Sequence, residues 1–305
     1  MVGSSNTDLI IRVPHIPAPG ETILGGKFVT AAGGKGANQA VAAARAGGVV
    51  TFVAKVGDDH YGQDALAGFR RDGIDVTHVT TDKRAPSGLA MIFVAANGEN
   101  CIAVADGANG RFSPADVKRA AGAIRSAGML LLQLEIPLET VCAATGLAAR
   151  QGVPVILNPA PARSLPDDLL EKVTLLTPNE SECELLTGIK VTSEAAAAKA
   201  ANVLLARGVR TVIITMGKRG AYMATGKERR LVPGFEVEPL DTTAAGAVFN
   251  GALAVALAEG TELLQAVRFA HAAAALSVTK VGAQSSAPKR REVDKFLRGT
   301  TQGKV

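Results

Sequence analysis

Met129-Leu130-Leu131-Leu132-Gln133-Leu134 is a near-continuous apolar run of strand length. A strand with one wet face alternates polar and apolar residues. One that is apolar at successive positions has both faces covered, as in a parallel sheet between two layers of helices. The residues that follow agree. Leu138 to about Gln151 reads as a helix, and Val153-Pro154-Val155-Ile156-Leu157 as the next strand, with Pro154 at its start because proline cannot donate within a ladder. Working outward, Thr51 to Val56 reads as a strand followed by a helix from His60 to Asp72. Leu175-Leu176 precedes a helix from Asn179, and a helix from Ser193 to Arg207 leads into the strand Thr211-Val212-Ile213-Ile214-Thr215. Repeated β-α-β units predict an α/β fold with a doubly wound, mainly parallel sheet flanked by helices.

Two segments break this rhythm. Residues 9–32 hold Leu9 to Pro14 and Phe28 to Thr30. Residues 84–107 hold Leu89 to Val94, then Asn97-Gly98, then Cys101 to Val104. Asn-Gly between alternating apolar runs is a strong hairpin signal. The two segments are expected to form a small β-sheet lid, leaving residues 1–8, 33–83 and 108–305 as one α/β domain.

Composition narrows the function. Of 305 residues 47% are apolar, too many for a disordered chain. Cys101, Cys142 and Cys183 form no disulfide framework and no Cys-x-x-Cys pair, as in a reducing compartment. Met1 to Ile10 has no basic stretch before an apolar run, and no stretch suits a membrane span, so a cytoplasmic protein with no membrane partner is expected. The net charge of +5 invites a nucleic-acid reading, but the basic residues are scattered in short clusters and aromatics make up only 4%. No nucleic-acid partner is expected.

Two small-residue stretches carry the chemistry. Gly33-Gly34-Lys35-Gly36-Ala37-Asn38 opens an Ala-rich helix, so its backbone can approach a ligand while Lys35 and Asn38 offer donors. It lacks the spacing and the Ser/Thr of a P-loop. Asp241-Thr242-Thr243-Ala244-Ala245-Gly246-Ala247-Val248-Phe249 opens a long apolar helix whose first N–H groups would converge on an anion.

These stretches occur with Gly3 to Asp8, Val56-Gly57-Asp58-Asp59, Gln133-Leu134-Glu135, Asn158-Pro159-Ala160-Pro161-Ala162, Thr177-Pro178-Asn179-Glu180 and Gly282-Ala283-Gln284, in that order. In this, nearly the whole chain resembles the PfkB carbohydrate kinase family, in its ribokinase branch. The resemblance implies a ribokinase-like fold and transfer of the ATP γ-phosphoryl group to O5 of D-ribose. It also implies Mg²⁺ carried with ATP, K⁺ as activating cation, and a homodimer formed through the lids. Asn6, Asp8, Gly34, Lys35, Asn38 and Glu135 match the sugar pocket. Asn179 and Glu182 match an Asn-x-x-Glu motif near the phosphates and Mg²⁺; by themselves they read as a helix N-cap and its N3 partner. Thr215, Gly217 and Gly220 match a nucleotide-binding turn, Gly246 a phosphate contact, and His271 a position beside adenine. Asp241, Thr243, Ser277, Lys280, Gly282 and Ser286 match the loops around the monovalent cation, where most ligands would be backbone carbonyls.

The chain departs from the family pattern in two places. The family's catalytic base is an aspartate after the helix-opening glycine; here that position is Ala247, followed by Val248. Alanine cannot accept a proton, and loss of a positioned base typically costs about 10²–10⁴ in rate. Sugar and nucleotide binding with strongly reduced turnover is therefore expected. The alternatives are a non-catalytic binding or regulatory member, or a kinase for another sugar or nucleoside. The second departure is that only Met1 and Val2 precede Gly3, where the family has a full inner strand. That predicts unpaired neighbouring backbone and a true start further upstream.

Overall fold

The computed structural model describes residues 1–24 and 26–302. Gly25, inside the first expected lid segment, and residues 303–305, at the end of the expected main domain, lie outside the described residues. The chain opens with β1 (Asn6–Val13), β2 (Lys27–Gly33), α1 (Lys35–Arg45), β3 (Thr51–Gly57), α2 (His60–Arg71), β4 (Asp75–Asp82), β5 (Gly88–Ala95) and β6 (Asn100–Ala105). Next come α3 (Pro114–Arg119), α4 (Ala121–Arg125), β7 (Leu130–Leu132), α5 (Leu138–Arg150), β8 (Val155–Leu157), α6 (Asp167–Leu170) and β9 (Leu175–Leu176). It closes with α7 (Glu180–Thr187), α8 (Glu194–Ala206), β10 (Thr211–Thr215), β11 (Ala221–Thr225), β12 (Arg229–Val232), α9 (Ala245–Ala258), α10 (Leu263–Val278) and α11 (Arg290–Gln302).

Among the described residues one sheet runs β12-β11-β10-β9-β8-β7, and β3 pairs with β4 beside it. Strands β7 to β10 are mutually parallel, as are β3 and β4, while β11 and β12 are antiparallel additions at the edge. The apolar runs are explained by the pleat. Leu130, Leu132, Val155, Leu157, Val212 and Ile214 enter one core, packed under α5 and α8. Leu131, Ile156 and Ile213 enter the other, under α1, α9 and α10. Each strand is buried on both faces, so no position is left for alternation.

The expected gap beside the N-terminus is filled differently. Val2 bridges in parallel to both Val53 and Leu132. Its N–H donates to Leu131 O at 3.1 Å, the Gly3 N–H to Val53 O at 3.2 Å, and the Val53 N–H to Met1 O at 2.8 Å. A few extended residues thus satisfy the backbone expected to be unpaired and stitch β3-β4 to β7.

The two rhythm-breaking segments form a separate four-stranded sheet, β2-β1-β5-β6. Asn6 already pairs with both Gly33 and Gly88, so this sheet begins at residue 6 rather than at residue 9. Asn6 and Asp8 therefore project from the small sheet and not from the main domain's edge. The pairing of β5 with β6 around Asn97-Gly98 follows the hairpin expectation, running from Leu89↔Ala105 to Val94↔Asn100.

Candidate active site

A cavity of about 740 Å³ opens where the small sheet, the carboxyl ends of the main strands and the N-termini of α1 and α9 meet. Asn6, Asp8, Gly34, Lys35, Asn38, Glu135, Asn179, Glu182, Thr215, Thr243, Gly246 and Ala247 all line it. Residues up to 241 positions apart in sequence are thereby gathered around one space.

The cradle at α1 depends on close backbone approach. Gly34 has φ 87°, and a Cβ there would lie 2.6 Å from the Asn6 nitrogen. At Gly36 a Cβ would lie 2.4 Å from the Ser4 nitrogen. Only glycine lets α1 start against the Gly3–Asn6 segment. The helix has no side-chain N-cap of its own. Glu135 fills that role: its Oε2 accepts from the Lys35 N–H at 2.8 Å and from Ser4 Oγ at 2.6 Å. A carboxylate is favourable at a helix N-terminus. Asp8 has a different environment. Burial, then repulsion from Glu135, push its carboxyl up to about 6, with Lys35 offsetting part of the effect. Asn6 is held by Asn109, whose Nδ2 donates to Asn6 Oδ1 at 2.7 Å and to Ser5 O at 3.0 Å while its Oδ1 accepts from the Ser5 N–H at 2.9 Å. Sequence reading missed Asn109, whose partners lie more than 100 residues away.

On the opposite side, Asn179 and Glu182 are both cap and cavity wall. Asn179 Oδ1 accepts from the Glu182 N–H at 2.8 Å, and Glu182 Oε2 accepts from the Asn179 N–H at 2.9 Å. Burial holds the Glu182 carboxyl above its usual range, although the Asn179 N–H and Lys35 act against it. Thr215 ends β10 beside them, its N–H donating to Pro178 O at 2.9 Å. Gly217 and Gly220 shape the turn into β11, with φ of 55° and 92°. They and His271 do not line the cavity. His271 is buried against Phe249, ring centroids 5.3 Å apart, and its Nδ1 is 3.2 Å from Pro233 O. Burial lowers its pKa to about 4, so the ring is neutral at ordinary pH, and Nε2 is left without a partner.

α9 begins under backbone strain. Ala244 has φ 60°, a left-handed conformation that non-glycine residues enter at a cost and that clusters at functional sites. Ala247 presents a methyl to the cavity, 7% exposed. Val248 points away into the core under the main sheet.

The loops expected to hold a monovalent cation converge as well. Asp241 Oδ1 accepts from the Thr243 N–H at 2.9 Å and Oδ2 from the Gly282 N–H at 2.8 Å. Burial raises the Asp241 carboxyl, but those hydrogen bonds outweigh it and hold the group below its usual range. Ser277 and Ser286 turn their hydroxyls onto Ala274 O and Ala283 O, both at 2.8 Å, and Lys280 pairs with Glu292 at 2.9 Å. The Lys280 ammonium has no lone pair for a cation, whereas the Ser277 and Ser286 oxygens, which donate their protons, keep theirs. Among the described residues no cluster of three or more His, Cys, Asp or Glu is arranged for a metal.

Sequence reading also assigned no role to a buried polar chain along the cavity floor. Gln133 Nε2 donates to Gln39 Oε1, and Gln39 Nε2 to Asn158 Oδ1 at 2.9 Å. Asn158 Nδ2 donates to Thr177 O at 3.0 Å. Thr177 Oγ1 donates to Asn250 Oδ1 at 2.6 Å, and Asn250 Nδ2 to Gly246 O at 2.8 Å. The available signal was one polar residue directly after each apolar strand: Gln133 after β7, Asn158 after β8 and Thr177 after β9.

Comparison with known proteins agrees with this geometry. Residues 1–290 match the family described as pfkB family carbohydrate kinase. A ribokinase of Haemophilus influenzae is 46% identical over 297 residues, covering 97% of each chain. A deoxyribokinase of Salmonella typhi is 39% identical over 298 residues, again 97% of each. The solved structure of Arabidopsis thaliana ribokinase complexed with ribose and ATP superposes with a TM-score of 0.90 at 33% identity, covering 97% of both chains. The architecture is thus the ribokinase-like α/β fold, and the chain belongs to the pfkB family of carbohydrate kinases.

Proposed function

We propose that this chain phosphorylates D-ribose at O5 with ATP, at a turnover limited by Ala247. The observation that carries the reading is the shared cavity: the expected sugar contacts Asn6, Asp8, Lys35, Asn38 and Glu135 face the N-terminus of α9 across one space. The ionised Asp8 accepts from sugar hydroxyls and Lys35 and Asn38 donate to them. The first N–H groups of α9, with no partner inside the helix, receive phosphate oxygens. In the transfer the O5–Pγ bond forms while the bond from Pγ to the ADP oxygen breaks, and ADP leaves with that electron pair. The O5 proton passes to a phosphate oxygen or to water, because Ala247 cannot take it. Positioning and electrostatics supply most of the catalysis in phosphoryl transfer, so a residual rate survives.

Mg²⁺ bound to ATP would neutralise phosphate charge beside Asn179 and Glu182, and Glu182 fits a role through the ion's waters because its own oxygens already accept hydrogen bonds. Thr215, Gly217, Gly220 and His271 are assigned to the nucleotide's side of the site. The loops at Asp241, Thr243, Ser277, Lys280, Gly282 and Ser286 would hold K⁺ next to α9. The sheet β2-β1-β5-β6 is assigned as a lid over the sugar and as the surface of a homodimer, and the activity is placed in the cytoplasm. Among the described residues no helix is long and apolar enough to cross a membrane.

Ala247 in an otherwise complete cradle favours one second reading, a family member that binds sugar and nucleotide without turning them over. Mass spectrometry of products from D-ribose, 2-deoxy-D-ribose and adenosine, each with MgATP and K⁺, tests both. Slow formation of ribose 5-phosphate is expected. Calorimetric binding of ribose with no product would favour the second reading, and product from another acceptor alone would overturn the choice of sugar.

A further inference from the structure

The polar chain under the cavity has a fixed direction. Two of its acceptors are backbone carbonyls, Thr177 O and Gly246 O, which can only accept. Asn158 must therefore turn its NH₂ toward Thr177, which points its oxygen at Gln39. Asn250 must turn its NH₂ toward Gly246, which points its oxygen at the Thr177 hydroxyl. No amide can flip without setting donor against donor or acceptor against acceptor. Gln39, Thr177 and Asn250 are at most 1% exposed and Asn158 is 8% exposed, so water offers little substitute.

Two points along it matter for the site. Gln39 lies one turn along α1 from Lys35 in the sugar cradle. Asn250 grips Gly246 O, and that carbonyl shares a planar peptide unit with the Ala247 N–H. Holding the carbonyl orients that N–H at the mouth of α9. The same two helices touch at Gly251, where a Cβ would lie 2.7 Å from Gln39 O. We propose that Gln39, Asn158, Thr177 and Asn250 are positioning residues that lock the sugar end of α1 to the phosphate end of α9, so that filling one site changes affinity at the other. This rests on reading the cavity as a joint sugar and nucleotide site.

The test is calorimetric titration of D-ribose with and without saturating ADP, which needs no turnover. The parent protein is expected to show at least about a fivefold change in ribose affinity, the lower end of ordinary coupling. Thr177→Val keeps the shape but removes the donor, and should cut the change to less than about twofold while ribose binding without ADP stays within about threefold. Thr177→Ser should keep the coupling. Gln39→Met cuts the chain on its α1 side, should act like Thr177→Val, and provides the reading if that variant fails to fold. Thr145→Val is the control: its buried hydroxyl has no partner and lies off the chain, so coupling should persist. Coupling that survives both cuts, equal loss of affinity with and without ADP, or a parent with no coupling would overturn the proposal. A parent that binds neither ligand would instead overturn the proposed function and the positioning role with it.

Discussion

Asp8, proposed as a sugar contact, sets binding against stability at the level of one residue. Its folded carboxyl is pushed up to about 6, first by burial and then by Glu135. An unfolded Asp titrates near 4. Between about pH 4 and pH 6 the folded chain therefore binds more protons than the unfolded one, and stability falls as pH rises through that window. Asp8→Asn removes this loss. Calorimetric scans should show parent and variant melting together near pH 4 and the variant melting higher above pH 6.5. Ribose affinity should move the opposite way, falling by about tenfold or more at pH 7, since hydrogen bonds to a charged acceptor are the stronger kind. A variant less stable than the parent at pH 7 would contradict the assignment of strain to this carboxylate. Residues of this type were legible because they sit in short motifs beside glycines. Asn109 was not, because its partners Ser5 and Asn6 are brought near it only by the fold, and Asn250 was not, because its link to Thr177 spans 73 residues.

At the scale of elements, the legible parts were those whose burial is uniform. Thr211–Thr215 and Leu175–Leu176 are strands with the expected bounds, and Ser193 caps α8 as the pattern Ser before an Ala-rich run implies. β4 went unread because DVTHVTTD is a polar strand that, among the described residues, pairs with β3 alone. β11 and β12 were missed because Gly220 turns the chain back against the parallel trend. The small sheet was read as two segments, but its start was misplaced because Asn6 and Asp8 look like loop residues until Gly33 and Gly88 pair beside them. That sheet also carries a prediction. Its register puts Leu9, Ile11, Phe28, Met91 and Phe93 on the face opposite Asp8, with Phe28 63% and Met91 54% exposed. An apolar face of this kind usually marks an interaction surface. Analytical ultracentrifugation should give twice the chain mass for the parent and the chain mass for Met91→Lys; a parent that sediments as a monomer would contradict the assigned interface.

For the molecule as a whole, the layers converge on the cavity between the two sheets. The main sheet, stitched through Val2, ends its parallel strands beneath the cavity. α1 and α9 aim their N-termini into it, and the small sheet supplies Asn6 and Asp8 from above. Under the proposed function this arrangement brings a sugar hydroxyl to a phosphoryl group, and the side chain at 247 has no oxygen to take the proton. The first turn of α9 favours a carboxylate at that position, so restoring one should not disturb the fold. The decisive measurement is ADP formation with D-ribose, MgATP and K⁺ on the parent and on Ala247→Asp side by side. The variant should turn over ribose about 10²–10⁴ times faster, the span that a positioned base contributes. Equal rates in the two proteins would contradict the account, because the base would then lie elsewhere.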